Sequence, residues 1–562
     1  MYRNFTRQSS SGALSALVVV SAAAFSALAA ETLYNGIQLA SEWPPRNQPV
    51  NSQPPDAPPY LLSSPAVIPI DVGRQLFVDY FLIEETTLRR KFHAAQYYRG
   101  NPVLRPDKPW EATGPKRRQA MSFSDGVWYD PQAHLFKAWY VSGPATLYAT
   151  SKDGVHWEKP QLDVEPGTNI VHKARRDSST VWLDLEEKDP SRRYKFAYSN
   201  GNEKPVSLYY SADGIHWGSE VARSLPAGDR TTVFWNPFRK VWVISLRDSG
   251  PGAPGNAQRF KIPGNRVRLR SYIENPDLAA AIKWKESEPV KWIGADRLDP
   301  GRIDLGAHPE LYNVDAVAYE SVMLGLFSIW RGQPDREVRD KPNEVTVGFS
   351  RDGFHWMRPY RTALIPVSEQ PEAWNHSNVQ SVGGVCLVVG DRLYLYCSGR
   401  AGAPLGPGDN STGLATLRRD GFVSMEAGDA GGSLTTRPVR FKGRYLFVNV
   451  DAADGELRVE ALDSKGRVIA PFSLDNCLPI HSNNTLQEVR WKGAADLAAL
   501  AGTPMKFRFH LRAGSIYAFW VSPDRSGASH GYVAAGGPGF TGPIDTVGSA
   551  IYEHCCATDE LN

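Results

Sequence analysis

Three carboxylates in this chain stand beside residues that could tune them for proton transfer. Glu310 lies in His308-Pro309-Glu310-Leu311-Tyr312, where neighbouring rings would desolvate it and raise its pKa toward that of a usable acid. Asp229 precedes the apolar run Thr231-Thr232-Val233-Phe234-Trp235, a strand that would hold its carboxylate at one end. Asp177 follows Arg175-Arg176, whose charges would keep it ionised. A protonated acid and a charged carboxylate are the two halves of general acid–base chemistry. Other residues suit binding better than bond breaking. Arg117 and Arg118 can fork to hydroxyls or to a carboxylate, Trp110 and Trp374 present flat apolar faces, and Glu111 and His376 add polar contacts. Turn, rim or core roles stay open for every one of them. Asp125-Gly126 reads more simply as a hairpin turn.

The elements that would position these side chains are set by an internal repeat. Ser151-Lys152-Asp153-Gly154-Val155-His156-Trp157, Ser211-Ala212-Asp213-Gly214-Ile215-His216-Trp217 and Ser350-Arg351-Asp352-Gly353-Phe354-His355-Trp356 are nearly the same segment. Weaker copies lie around Asp277 and Asp420, so the aspartates recur at steps of 60, 64, 75 and 68 residues. Asp-Gly favours a tight hairpin because both residues tolerate positive φ, and the carboxylate accepts hydrogen bonds from the turn's own amides. The Trp that follows can cover the hairpin and pack on the next sheet. A hairpin tip every 60–75 residues fits one four-stranded sheet per period, so five copies predict a five-bladed β-propeller over residues 71–430. Period-two strands such as His134–Val141, Val241–Leu246 and Met323–Trp330 fall between the tips. Turn chemistry accounts for the Asp, His and Trp of the repeat, and three histidines on different blades would not meet at one metal.

Beyond about residue 430 the repeat stops, and segments such as 443–450, 456–462 and 505–511 read as strands of a C-terminal β-sandwich over 431–525. The chain is thus expected to be all-β. Residues 30–70 are Pro-rich and read as a surface arm, and 526–562 as a Gly-rich, mobile tail. Arg3, Arg7, an apolar run and Ala27-Leu28-Ala29 read as a signal peptide over 1–29, giving a secreted or periplasmic protein without a membrane span in its mature form. Its removal lowers the formal charge from +3 to +1, which leaves no electrostatic case for nucleic acid. None of the five cysteines has C-x-x-C spacing, which argues against a thiolate zinc site. Cys386 and Cys397 flank Gly390-Asp391-Arg392 and are open to a disulfide or to two buried thiols.

Leu76-Phe77-Val78-Asp79, Gly100 to Leu104 with Lys108 to Glu111, the three repeat hairpins, Val233 to Pro237, Gly413 to Leu417, Gly432 to Pro438 and Arg490 to Gly493 together resemble secreted bacterial proteins of the glycoside hydrolase family 32 and 43 type, across about residues 70–525. The W-M-N-D-P-N-G, R-D-P and E-C stretches of family 32 fructan hydrolases are missing, with Arg247-Asp248-Ser249 nearest the second, so the resemblance stays at the superfamily. It implies acids contributed by the innermost strands of different blades, meeting at an axial funnel. Glycoside hydrolysis needs an acid for the leaving oxygen and a second carboxylate as base or nucleophile. Glu310 is the candidate acid, Asp229 the base or nucleophile and Asp177 an orienting group; Glu111, Arg117, Arg118, Trp110, Trp374 and His376 are candidates for carbohydrate contact. No cofactor is expected, and a structural Ca²⁺ in the channel stays open. The alternative is a propeller that binds carbohydrate without hydrolysing it.

Overall fold

The structure, a computed structural model, describes residues 31–46, 50, 53–114, 117–143, 145–174, 176–201, 203–251, 266–302, 304, 308–332, 339, 341–402 and 408–554. The expected signal peptide and Cys555-Cys556 lie outside them. Strands dominate, and among the described residues of the repeat region the α-helix Leu278–Ile282 is a single turn capped by Asp277, whose carboxylate accepts from the Ala280 amide at 2.7 Å.

Five antiparallel sheets follow one another along the chain. The first joins Val127–Asp130, Leu135–Ser142, Ala145–Ser151 and Trp157–Glu158, and the second Ser178–Leu183, Tyr194–Ser199, Lys204–Ser211 and Ala222–Ala227. The third joins Thr232–Asn236, Val241–Pro251, Arg266–Asn275 and Val290–Gly294. The fourth holds Glu310–Glu320, Val322–Trp330 and Asn343–Ser350, with Tyr532–Val533 on its edge. The fifth joins Asn378–Ser381, Arg392–Arg400 and Asn410–Arg418, and its outer edge is completed by Gln96–Tyr97 from the other end of the chain.

Hydrogen bonds link the leading strands of these sheets in a closed circuit. The Val181 amide donates to the Asp125 carbonyl at 3.1 Å, and the Val233 amide to Thr180 Oγ1 at 3.4 Å. Thr232 Oγ1 donates to the Val314 carbonyl at 2.7 Å, Ser381 Oγ to the Asp315 carboxylate, and the Val127 amide to the Gly383 carbonyl at 3.2 Å. Sheet one therefore touches both sheet two and sheet five.

The repeat hairpins reinforce the same circuit by docking on the preceding sheet, and their Trp residues pack on the preceding sheet or their own and not, as expected, on the next: Trp157 on Tyr396, Trp217 on Phe196, and Trp356 on Trp292 and Phe327. In each copy the Asp carboxylate accepts from two backbone amides at 2.8–2.9 Å and from its own His at 2.7 Å. The glycines have φ of +80°, +79° and +83°, so the turn requires glycine. Tyr396 of sheet five donates to the Gly154 carbonyl at 2.5 Å, Trp139 of sheet one to the Gly214 carbonyl at 2.7 Å, and Trp292 of sheet three to the Phe354 carbonyl at 2.7 Å. The reason is local: the turn exposes a carbonyl toward the neighbour whose aromatic donor is already buried there.

Two six-stranded sheets lie beyond this circuit. One is built on Met505–Arg512 with Gly432–Thr436, Glu456–Asp463, Val439–Arg440, Ile68–Pro69 and Ile83–Thr86. The other is built on Gly514–Ser522 with Tyr445–Asp451, Asn483–Glu488, Val423–Ala427, Arg89–Phe92 and Gln75–Leu76. They share a second apolar core that includes Leu457, Phe507, Phe509, Val448 and Phe519. Strands between 68 and 92 join these sheets, so the expected boundary at 71 does not divide them; pairing across the ends of the chain overrides sequence order. The expected arm likewise packs into this core through Leu33, Ile37, Leu39 and Tyr60. The expected mobile tail is held by Tyr532–Val533 on sheet four and by Asp545, which accepts from Arg419 at 3.1 Å. Cys386 and Cys397 are buried free thiols, because the hairpin register sets Leu387 opposite Tyr394 while Cys397 faces Ser381 and Gly413.

Candidate functional site

Sheet four starts with a bulge that shapes the site. Glu310 pairs with Trp330 and Leu311 with Ile329, and the register then slips so that Ser328 faces Asn313. Tyr312 is the inserted residue. Leu311 and Val314 stay in the apolar core, while Tyr312 and Asn313 both lie outside it. The slip thus puts two consecutive polar side chains on the side opposite the core, which a regular strand would not do.

Around Tyr312 the structure gathers charge from sheets two to five. Glu310 is buried; its Oε2 accepts from the Arg268 amide at 3.1 Å and from Arg268 Nη1 at 2.7 Å, and its Oε1 is buried without a hydrogen bond. The Arg268 guanidinium stands 5.6 Å from the Tyr312 ring centre and 5.3 Å from that of Trp330. Asp229 forms an ion pair with Arg247, whose amide donates to Thr231 Oγ1 at 3.1 Å. Asp177 is exposed at the head of sheet two, and its charge acts on both Arg247 and Tyr312. Burial and repulsion from Arg268 lower the Arg247 pKa against the pull of Tyr312, Glu310 and Asp177. The three carboxylates singled out in the sequence thus come from three sheets and share Arg247 as a common neighbour.

A second polar layer joins all five leading strands. Asp125 is fully buried, with Arg176 Nη1 on both of its oxygens at 2.7 Å and Ser179 Oγ beside it. Burial raises its pKa despite the arginine. Ser124 Oγ accepts from Arg230 at 3.2 Å and from Asn313 Nδ2 at 3.1 Å; Asn313 also donates to Asp315 at 2.8 Å. Arg270, wholly buried, directs its guanidinium at the carbonyls of Arg230 and Tyr312 and at Asn313 Oδ1. Burial, with Arg247 and Arg230 close by, pushes its pKa well below the ordinary arginine value. Sequence reasoning passed over Arg247, Arg268, Arg270 and Tyr312; it placed Asp125 in a turn, where it does lie, but not its buried carboxylate in this layer. The available signal was the alternation of arginines in Arg266 to Arg270, which put Arg268 and Arg270 on one face of a strand.

The candidates for carbohydrate contact are engaged with partners of their own. Glu111 is buried under donors: the Asp107 and Lys108 amides at 2.6 and 2.8 Å, the Tyr140 hydroxyl at 2.8 Å and Lys159 Nζ at 2.7 Å. Trp110 Nε1 donates to Asn169 Oδ1 at 2.8 Å. Arg117 and Arg118 form a short strand against Ala112–Gly114, and Arg118 pairs with Asp409 at 2.6 Å. The Trp374 ring lies on Gly399 and Gly413, where any Cβ would collide with it, and His376 Nδ1 lies 3.1 Å from the Ser368 carbonyl. Among the described residues, no group of three His, Cys, Asp or Glu side chains stands ready to hold a metal, and no helix is long and apolar enough to cross a membrane. Cavities of about 310 Å³, beside Tyr129, Phe136 and Phe540, and about 720 Å³, beside Ile37, Tyr60 and His355, lie away from the charged cluster. The cluster joins carboxylates from three sheets, one of them exposed, to a shared cationic neighbour, so it is a better candidate for acid–base chemistry than either cavity.

No protein-family model matches the chain, and no curated protein matches it. Among solved structures it is similar to an N-acetylgalactosamine deacetylase from F. plautii in complex with blood group B trisaccharide, at 14% identity and a TM-score of 0.38 over 58% of this chain and 95% of that one. It is also similar to a glycosyl hydrolase from Bacteroides ovatus (13% identity, TM-score 0.35, 58% and 94% covered). A thermostable family-43 glycoside hydrolase gives 13% identity and a TM-score of 0.35, with 55% and 93% covered. Superpositions this loose leave the functional reading to the chemistry of the site.

Proposed function

We propose that this protein is a glycoside hydrolase that acts on a glycan outside the cytoplasm. Its five sheets are the blades of a five-bladed β-propeller, and the two six-stranded sheets form a β-sandwich beside it. Support for the ring comes from the closed circuit of hydrogen bonds and from hairpins that each dock on the preceding sheet. The observation that carries the activity is the meeting of Asp177, Asp229 and Glu310, from three blades, around Arg247.

In this reading Glu310 protonates the leaving oxygen through its unbonded Oε1 while Arg268 fixes Oε2, and Asp229 serves as base or nucleophile. Asp177 orients substrate at the exposed rim. The pairing of Asp229 and Glu310 with arginines favours a second reading, in which the mouth binds carbohydrate without hydrolysing it.

A panel of aryl glycosides and polysaccharides, offered to the chain from residue 30 onward, separates the two. Hydrolysis of one member, with kcat falling about 10²–10⁴-fold in Glu310→Gln and in Asp229→Asn, is the expected result. Binding without turnover across the panel would leave only the second reading.

A further inference from the structure

The turn that leads into the third sheet carries backbone strain directly beside Asp229. Arg230 has φ +62°, in the left-handed region that a β-carbon makes costly. Arg176 and Ser178 beside Asp177, and Pro309 and Leu311 beside Glu310, do not adopt it, so among the three carboxylates the strain is confined to Asp229. Such a residue persists only where its surroundings over-determine it. Three contacts do so here. The Arg230 carbonyl accepts from Arg270 Nη1 at 2.8 Å, and Arg230 Nη2 donates to Ser124 Oγ, in the segment that leads into the first sheet, at 3.2 Å. The Arg230 guanidinium also stands 4.6 Å from the Phe123 ring centre. Both arginines are buried.

The same turn fixes the partner of Asp229. Thr231 Oγ1 donates to the Gly228 carbonyl at 2.9 Å and accepts from the Arg247 amide at 3.1 Å. A Cβ on Gly228 would stand 2.6 Å from Arg247 Cγ and 2.9 Å from Arg247 Cβ. The stem of Arg247 thus crosses the bare backbone of the turn on its way to the ion pair with Asp229. From Thr232 onward the chain is locked by pairing with Val241–Pro251. The φ of residue 230 therefore decides in which direction Asp229 leaves a fixed strand. From this arrangement we infer that the left-handed backbone of Arg230 is the device that sets the Asp229 carboxylate against Arg247, which makes Arg230 a positioning residue acting through Asp229. The chemical use of that placement rests on the glycoside hydrolase reading, whereas the placement itself is a separate measurement.

The test uses the full mature chain with Arg230→Gly, Arg230→Asn and Arg230→Val. All three remove the guanidinium, but glycine and asparagine adopt a left-handed backbone readily and the β-branched valine resists it. A difference among them therefore reads the backbone and not the side chain. Crystal structures are expected to keep the Asp229–Arg247 pair in Arg230→Gly and Arg230→Asn and to lose it in Arg230→Val. On a glycoside that the wild type hydrolyses, kcat should fall at least about 10²-fold in Arg230→Val and less than about tenfold in the other two, with KM unchanged. Thermal melting sets each assay below its transition. Arg230→Ala carries the same backbone penalty in milder form and replaces Arg230→Val if that chain does not fold. An intact Asp229–Arg247 pair in Arg230→Val, or equal losses of kcat in all three variants, overturns the inference. If the wild type turns over no member of the panel, the hydrolase reading fails and the crystal structures alone decide the inference. Displacement of Asp229 with kcat unchanged supports the inference and removes Asp229 from the chemistry.

Discussion

Tyr312 is held between two opposing effects. Burial pushes its phenol up, and the positive charges of Lys341, Arg400 and Arg268 outweigh that and bring its pKa below the ordinary tyrosine value. The folded state therefore releases this proton before the unfolded chain does, near about pH 10. The linked stabilisation is absent at neutral pH, appears as pH rises through the depressed folded value, and is complete above the unfolded one. Wild type should gain stability over Tyr312→Phe on going from pH 7 to the alkaline range, read as a widening gap between urea midpoints. A gap independent of pH would mean that the surrounding cations do not act on the phenol. The same cations explain why Glu310 and Asp229 can sit in the same polar cluster without mutual repulsion deciding the geometry.

At the scale of the element, the repeat hairpin does two jobs that substitutions can separate. Gly353 has φ +83° and an added Cβ would strike Asn236 of the preceding sheet, whereas Gly167 has φ +80° in open space. Both alanine variants force a left-handed residue, at about 1–3 kcal/mol, and only Gly353→Ala also breaks a contact between sheets. Gly353→Ala should therefore lower the denaturation midpoint more than Gly167→Ala does; equal losses would show that the hairpin is no staple. The Asp of the hairpin carries an acid signature. Burial would raise Asp213, but the His216 ring and the amides of Ile215 and His216 outweigh it and lower its pKa to about 2. A depressed carboxylate stabilises above its unfolded value of about 3.9 and loses that contribution as pH falls through the folded one. Asp213→Asn should flatten the acid limb of stability between about pH 4 and pH 2. The side chain is 45% exposed, so solvent screening keeps the effect small.

Across the whole molecule, the circuit of sheets and the paired six-stranded sheets are joined by a buried charge network. Glu320 at the end of a sheet-four strand meets Arg74 at 3.4 Å and Arg419 at 3.0 Å, Arg74 reaches Asp420 at 2.9 Å, and Arg419 reaches Asp545 at 3.1 Å. All of these side chains are fully buried, and the Arg74 guanidinium lies 4.1 Å from the Trp520 ring centre in one of the six-stranded sheets. Removing Glu320 takes one of two carboxylate partners from each of Arg74 and Arg419. Glu320→Gln should cost about 3–5 kcal/mol and make the two parts melt separately where the wild type melts once. A single unshifted calorimetric transition would show that the network does not couple them.

The amino-acid sequence by itself determined the local chemistry: the three Asp-Gly-ψ-His-Trp hairpins, the period-two strands, and the carboxylates Asp177, Asp229 and Glu310 near strand starts, whereas the weaker copy at Asp277 is a helix cap and not a hairpin tip. Each depends only on residues within a few positions, so spacing along the chain reveals it. Tertiary structure decided what meets what. The bulge that turns out Tyr312, the arginines that pair with Asp229 and Glu310, the docking of each hairpin on the preceding sheet, and the return of residues 68–97 into sheets built mostly from the other end all depend on pairings between distant segments. Such pairings are chosen by the burial and ion pairing of the whole chain together, and no local spacing encodes them.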